Sequence, residues 1–271
     1  MKKLLLKLYY FGNNDKKAID ALQTNIRNIE WEAIAGYIPE NSKFLDIGCG
    51  AGYSMKLAQT QKKCEVHGID PDPNAHGVGR NWDNSKDFQS EFNIVKGDAT
   101  ELPYPNNSFD VVYSSHVLEH IRDEAKALRE MRRVVKGDGV IIIGVPTASM
   151  AIINMISQLL FLSHHRIMNF IFSRLGFSSF PKISFKHLLF LQSHSFPEKT
   201  IFYDLKHYRV KNWTKTISKE LFHFSVPKEF RIKKTILPAI YPYPDFRQLF
   251  KLKKSRKRSS SVFFICKNWN A

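Results

Sequence analysis

Residues 45–52, Leu45-Asp46-Ile47-Gly48-Cys49-Gly50-Ala51-Gly52, constrain the fold more tightly than any other stretch of this chain. They close an apolar, strand-like run from Lys43 to Ile47 with three glycines alternating with small residues, and helical spacing begins near Tyr53. Glycines so spaced let backbone N–H groups turn tightly and approach a ligand closely. A helix starting directly behind them points its positive end at a negative group. The pattern predicts a strand–loop–helix unit facing an anionic small molecule. Taken alone, it also fits an ordinary tight strand-to-helix turn.

Two ligands compete for such a loop, a dinucleotide and S-adenosylmethionine. The dinucleotide fingerprint places its third glycine at the sixth position. Here the third glycine is fifth and Tyr53 stands sixth. The segments after the loop discriminate further. Cys64 to Ile69 reads as a second strand ending at Asp70, where an acid can accept hydrogen bonds from both ribose hydroxyls. Asn93 to Lys96 reads as a third strand, followed by Gly97-Asp98-Ala99, and Phe109 to Tyr113 as a fourth, followed by Ser114-Ser115-His116-Val117-Leu118-Glu119-His120.

With these segments in place, the chain resembles the class I S-adenosylmethionine-dependent methyltransferases, in the manner of the type 11 domain. Residues 45–52 resemble the family's first motif, Gly68-Ile69-Asp70 its ribose-binding acid, and Gly97-Asp98-Ala99-Thr100 with Leu102-Pro103 its adenine segment. Phe109-Asp110-Val111-Val112 is similar to its fourth strand. Glu130 to Gly139 is similar to the helix and turn before its fifth strand, Val140 to Val145, with Gly137-Asp138 where the family usually has proline. The resemblance is strong over about 30–147 and weak beyond. It implies an α/β fold: a doubly wound, mostly parallel, seven-stranded Rossmann-like sheet. It also implies S-adenosyl-L-methionine as cofactor.

Along the chain, Asp15 to Tyr37 has helical spacing, with Ile19, Leu22, Ile26, Ile29 and Ala33 as its apolar stripe. Strand and helix then alternate up to Val145, the order of a parallel sheet. Arg122 to Val135 is expected to be a helix. From Pro146 the alternation breaks for longer than a normal connection. Residues 148–209 are expected to form a helical cap inserted after the fifth strand. In 210–271, Val210 to Phe222 reads as a helix, and Phe230–Leu237 and Ser261–Cys266 read as closing strands. The run Lys251 to Arg258 reads as a solvated loop. The division expected is therefore a single methyltransferase domain with a cofactor half at 15–147, a cap and a closing segment.

Charge is unevenly divided. Residues 1–147 carry 19 Lys and Arg against 20 Asp and Glu, whereas residues 148–271 carry 22 against 5, a balance of +17. Such asymmetry favours polyanionic or acidic-membrane partners rather than a particular fold. Three cysteines without a pair motif fit a reducing compartment. The interrupted apolar start argues against a signal peptide, and the apolar stretch 150–172 is broken by His164, His165 and Arg166. The expected location is cytoplasmic, with peripheral contact at the inner membrane surface. Oligomeric state is not legible.

The resemblance implies cofactor contacts from Asp46, Gly48, Cys49, Gly50, Gly52, Asp70, Asp98, Ala99 and Ser115. Asp46 would anchor the loop and face an ammonium, Asp70 would hold the ribose, and Asp98 and Ala99 would meet adenine. Asp98 could instead cap the next turn, and Cys49 reads as a packing residue. A helix after Ser115 would set His116 and His120 on one face, each a candidate general base, although both also fit structural roles. A metal-binding alternative takes His116-x-x-Glu119-His120, completed by His187 or His194. Some methyltransferases of this fold that act on RNA or quinone precursors carry two carboxylates and a histidine here with another histidine downstream, and His116 stands in place of the first carboxylate. The expectation for this chain is transfer without a metal. The favoured acceptor is a small-molecule, glycan or lipid-linked hydroxyl near a membrane. An RNA (tRNA) acceptor ranks second, with Tyr203, Tyr208 and Trp213 among basic residues, and a non-catalytic S-adenosylmethionine-binding protein third.

Overall fold

A computed structural model describes residues 16–73, 92, 94–156, 170, 174, 193–221, 230–238, 240–243, 251–254 and 259–268. Its centre is a seven-stranded sheet built from β1 (Lys43–Ile47), β2 (Glu65–Asp70), β3 (Ile94–Lys96), β4 (Phe109–Ser115), β5 (Val135–Pro146), β6 (Phe230–Ile236) and β9 (Ser261–Asn268). The order is β3-β2-β1-β4-β5-β9-β6, parallel through β5, with β9 antiparallel to both β5 and β6. The chain leaves β1 toward β2 on one side and later returns to β4 on the other. That reversal opens a crevice at the carboxyl end of β1, where ligands bind in open α/β sheets.

Both faces of the central strands are buried, so β1, β4 and β5 read as nearly continuous apolar runs rather than alternating ones. On one face, Leu45, Ile47, Val112, Ile141 and Ile143 share a core with Leu128 and Met131 of α3 (Glu124–Val134) and with Trp213 and Ile217 of α5 (Val210–Leu221). On the other, Phe44, Val111, Tyr113, Ile142 and Phe263 pack with Trp31 and Ile34 of α1 (Lys16–Ile34). Helix α3 is capped by Asp123, whose carboxylate accepts from the Lys126 N–H at 2.9 Å, and it ends with Arg132 and Arg133 near its negative pole.

The structure corrects several sequence expectations. Helix α1 gives way to a 3₁₀ turn at Ala35–Tyr37, and its buried face is Glu30, Trp31 and Ile34 rather than the Ile26–Ile29–Ala33 stripe. Strand β5 begins at Val135, directly after α3, and not at Val140. Lys136 reaches Asp110 at 2.7 Å and Asn268 donates to the Gly137 carbonyl at 2.8 Å, which ties the Gly137-Asp138 segment into the sheet. Within the basic run, Lys251–Lys254 (β8) pairs antiparallel with Ile240–Tyr243 (β7), so that half is strand rather than loop, and 255–258 lie outside the described residues. Of the expected cap, residues 148–156 and α4 (Ile201–His207) are helical, and Ala151 and Ile201 are buried in the main core. Most of 157–192, including His187, lies outside the described residues.

Gly144 faces its register partner Phe263 across β5 and β9, and a Cβ there would stand 2.3 Å from the phenyl ring. Gly144→Ala is expected to cost about 1–3 kcal/mol by overpacking. Urea unfolding checks this, with Phe263→Leu in the same chain restoring part of the loss.

Candidate active site

The glycine loop turns off β1 in a conformation that side chains resist. Gly48, Gly50 and Gly52 have φ of +74°, +53° and +85°, in the left-handed region that glycine enters without steric cost. The loop is pinned to the end of β2: Gly48 N–H donates to the Ile69 carbonyl at 2.7 Å, and Gly50 N–H donates to the Asp70 carboxylate at 2.8 Å. Gly52 then starts α2 (Tyr53–Lys62) as its cap. Space above Gly48 is taken by Val117, whose Cγ2 would lie 2.2 Å from any added Cβ. The loop and the chain after β4 are therefore in direct contact.

Asp46 and Asp70 sit together behind this loop, both buried. Burial, with the Asp70 carboxylate beside it, pushes the Asp46 carboxyl up to about 8. Two buried acids in one place are costly and favour a cation between them. Asp70 is further fixed by the Asp72 N–H at 2.8 Å. Cys49 is buried against Met55 and Phe92, and burial plus the two acids drive its thiol far above its ordinary range. It is a packing residue, as its place among glycines suggested.

The segment after β3 is braced by α3. Glu130 accepts from the Leu102 N–H at 2.8 Å, while Arg133 donates to the Leu102 carbonyl at 2.8 Å and the Tyr104 carbonyl at 2.6 Å. Asp98 is exposed and accepts from the Thr100 N–H at 2.7 Å, the turn-capping role left open by the sequence. Ala99 packs against the main core.

After Ser115 the chain does not become an α-helix. His116 adopts φ +57° and donates its N–H to the Gly144 carbonyl at 2.8 Å, and a 3₁₀ turn comes next at Leu118–His120. The two histidines expected on one helical face are consequently unequal. His116 Nε2 lies 3.0 Å from Glu30 Oε1, and Glu30 pairs with Arg27 at 2.7 Å. His116 and Arg27 offset the burial of Glu30 and hold its carboxyl below the usual range. His120 is exposed at the rim, its Nδ1 3.4 Å from the Ser195 carbonyl. Ser115 accepts a long 3.4 Å contact from Arg27. Arg27 and Glu30 have no motif to mark them in the sequence. The available signal is a charged pair three residues apart beside the buried Trp31 and Ile34.

Residues 45–143 match the methyltransferase-domain family. Over that segment the chain is similar to the class I S-adenosylmethionine-dependent methyltransferases. Over 107 residues it is 35% identical to the demethylmenaquinone methyltransferase of Bacillus subtilis, covering 39% of this chain and 46% of that protein. Over 99 residues it is 33% identical to the ajmaline N-methyltransferase of Rauvolfia serpentina, covering 36% and 34%. The chain thus spans less than half the length of these curated relatives. A solved S-adenosylmethionine-dependent methyltransferase from Thermotoga maritima shares the fold across 97% of this chain and 99% of its own, with TM-score 0.51 and 15% identity.

The raised Asp46 carboxyl gives the methyltransferase domain a signed pH dependence. An acid whose folded value exceeds its unfolded one keeps a proton that the unfolded chain has lost, so stability falls as pH rises through that window. The window runs from about pH 4, the unperturbed value, to about pH 8. Asp46→Asn is expected to raise the melting temperature of the cofactor-free protein, with a gain that grows from pH 4 to 8. Thermal melts across that range check it.

Proposed function

We propose that this chain transfers the methyl group of S-adenosylmethionine to a hydroxyl of a small-molecule, glycan or lipid-linked acceptor at a membrane surface. The observation carrying this reading is the glycine loop locked onto Asp70, with Asp46 beneath it. A glycine loop backed by two buried acids suits a ligand bearing both cationic and hydroxyl groups. S-adenosylmethionine, when bound, supplies a methyl on an already activated sulfonium, so the chain needs no covalent nucleophile. The inert Cys49 is consistent with that.

The residues act by holding rather than by bonding. Gly48, Gly50 and Gly52 let the loop backbone turn tightly toward the methionine portion, and Asp46 faces its ammonium. Asp70 holds the ribose, with Asp98, Ala99 and Ser115 lining the remainder. Such positioning can supply several kcal/mol of the barrier. Between the two candidate bases, His116 is engaged with Glu30, which leaves the rim residue His120 as the group to take a hydroxyl proton.

The small-molecule acceptor is supported by relatives named for ajmaline and demethylmenaquinone. Support for a surface location comes from the +17 balance of residues 148–271 together with exposed Ile152, Phe170 and Phe202. Arg174 stands 5.4 Å over the Phe170 ring and Lys199 4.0 Å over the Tyr203 ring, so cations lie beside aromatic groups in this segment. Among the described residues no helix is long and apolar enough to cross a membrane. Peripheral attachment from the cytoplasmic side is the arrangement proposed.

Two measurements test this function. Asp70→Ala is expected to weaken S-adenosylmethionine binding by about 1.5–3 kcal/mol, because charge-assisted hydrogen bonds are lost. Unchanged affinity by calorimetry would remove Asp70 from the site. Sedimentation with anionic vesicles should show salt-sensitive binding that weakens when Lys253, Lys254, Arg256, Lys257 and Arg258 are neutralised, with cofactor affinity unaffected. Tight RNA binding at moderate salt without vesicle binding would put the RNA acceptor first. Cofactor binding with no turnover on any acceptor extract would favour the non-catalytic alternative.

A further inference from the structure

One buried charge takes no part in methyl transfer. Glu119 is fully buried, and neither carboxylate oxygen receives a hydrogen bond of proper geometry from the described residues. An unpaired carboxylate in such a place costs several kcal/mol. A fold keeps such a group where something else compensates it.

Imidazoles converge on the same carboxylate: His116 Nδ1 stands 3.7 Å from Glu119 Oε1 while its Nε2 is held at Glu30, and His120 and His194 gather at the same group. His120 Nε2 lies 3.8 Å from Glu119 Oε1, and one donor atom each from Glu119, His120 and His194 all fall within 4.8 Å of one another. These separations are too long for hydrogen bonds. They approach those between ligands of a common ion, since donors about 2.1 Å from a tetrahedral centre stand roughly 3.4 Å apart. His194 closes the remainder by side-chain rotation, its ring being exposed.

The surroundings prepare these groups as ligands. His120 Nδ1 faces the Ser195 carbonyl at 3.4 Å, which favours a proton on Nδ1 and turns Nε2 toward Glu119. Ligating histidines are typically oriented in this way by a carbonyl behind them. The loop bearing His194 is fixed by buried Asp204, which accepts from the Ser193 hydroxyl and from the His194 N–H at 2.6 Å. Ser195 hydrogen-bonds the Tyr208 hydroxyl, and Ser193 N–H donates to the Lys199 carbonyl at 3.0 Å, which closes the loop. The positive charge of Arg27 is matched by Glu30.

We propose that Glu119, His120 and His194 form a mononuclear site for a divalent transition metal of the zinc type, at the rim of the crevice beside Val117 and Gly48. Two imidazoles and one carboxylate suit zinc or iron rather than magnesium. Exposure of both histidines leaves the remaining coordination positions open to water or an oxygen-bearing ligand. The site departs from the expectation of a metal-free protein and, once loaded, turns His120 from a base into a ligand. Its ligands also differ from the sequence alternative, because His116 is engaged with Glu30 and is left out.

The test is binding of the ion alone, without cofactor or acceptor, so it stands apart from the methyl-transfer reading. Full-length protein stripped by a chelator is titrated with Zn²⁺ by calorimetry, with Co²⁺ absorption as a second probe. One equivalent is expected, together with the visible bands of a low-symmetry Co²⁺ site and release of a proton at pH 7. Glu119→Gln and His194→Ala should each lower Zn²⁺ affinity at least tenfold and weaken the Co²⁺ bands, with circular dichroism unchanged. His194→Ala decides the matter if Glu119→Gln does not fold, because its ring lies at the surface. Absence of stoichiometric binding in the parent, or equal affinity in a folded His194→Ala protein, overturns the proposal and leaves Glu119 as a protonated buried acid.

Discussion

The site rests on a short set of hydrogen bonds that dock the glycine loop onto the end of β2. Gly48 N–H and Cys49 N–H share the Ile69 carbonyl, and Gly50 N–H reaches the Asp70 carboxylate. Those bonds require three left-handed backbone positions, and glycine is the residue that occupies them without strain. With the loop held this way, Val117 packs directly over Gly48 and the turn after β4 is brought to the same crevice. One local backbone choice thus joins the glycine loop, the buried acid at the end of β2 and the histidine turn.

Around that crevice the protein gathers several buried acids. Asp46, Asp70, Glu30 and Glu119 are all buried within the loop, the end of β2, the packed face of α1 and the turn after β4. Only some are compensated internally. Glu30 has Arg27 and His116, whereas Asp46 and Glu119 are pushed toward protonation. Uncompensated acids lower the stability of the empty protein and favour cationic ligands, the trade expected where function outranks stability.

The segment after β5 contributes more than a cover. Its loop at 193–199 is anchored by Asp204 beneath the main core, and α4 and α5 bury Ile201, Tyr208 and Trp213 in the layer that carries Leu128 and Met131. Trp213 also donates to the Pro146 carbonyl at 3.1 Å, which ties α5 to the end of β5. His194 therefore reaches the rim on a braced loop rather than a loose one.

Periodicity and glycine spacing were enough to read the parallel sheet, the loop and the strand-end acids, because each depends on local backbone geometry or on burial of a continuous apolar run. The early start of β5 was hidden: Lys136 to Gly139 looks like a turn, and only the Asp110–Lys136 pair and the Asn268 contact draw it into the sheet. The β7–β8 pairing was hidden for a similar reason, since Lys251–Lys254 becomes a strand only by meeting Ile240–Tyr243. Sequence singled out His116 and His120 but gave them equal standing, because four-residue spacing means one face only if a helix forms. The left-handed turn at His116 separates them, giving one to Glu30 on α1 and the other to Ser195, seventy-five residues later. Local spacing by itself determined the glycine loop between β1 and α2. Which charges meet across elements far apart in the chain was decided only by tertiary packing, because a charge is paired by its neighbours in space, not in sequence.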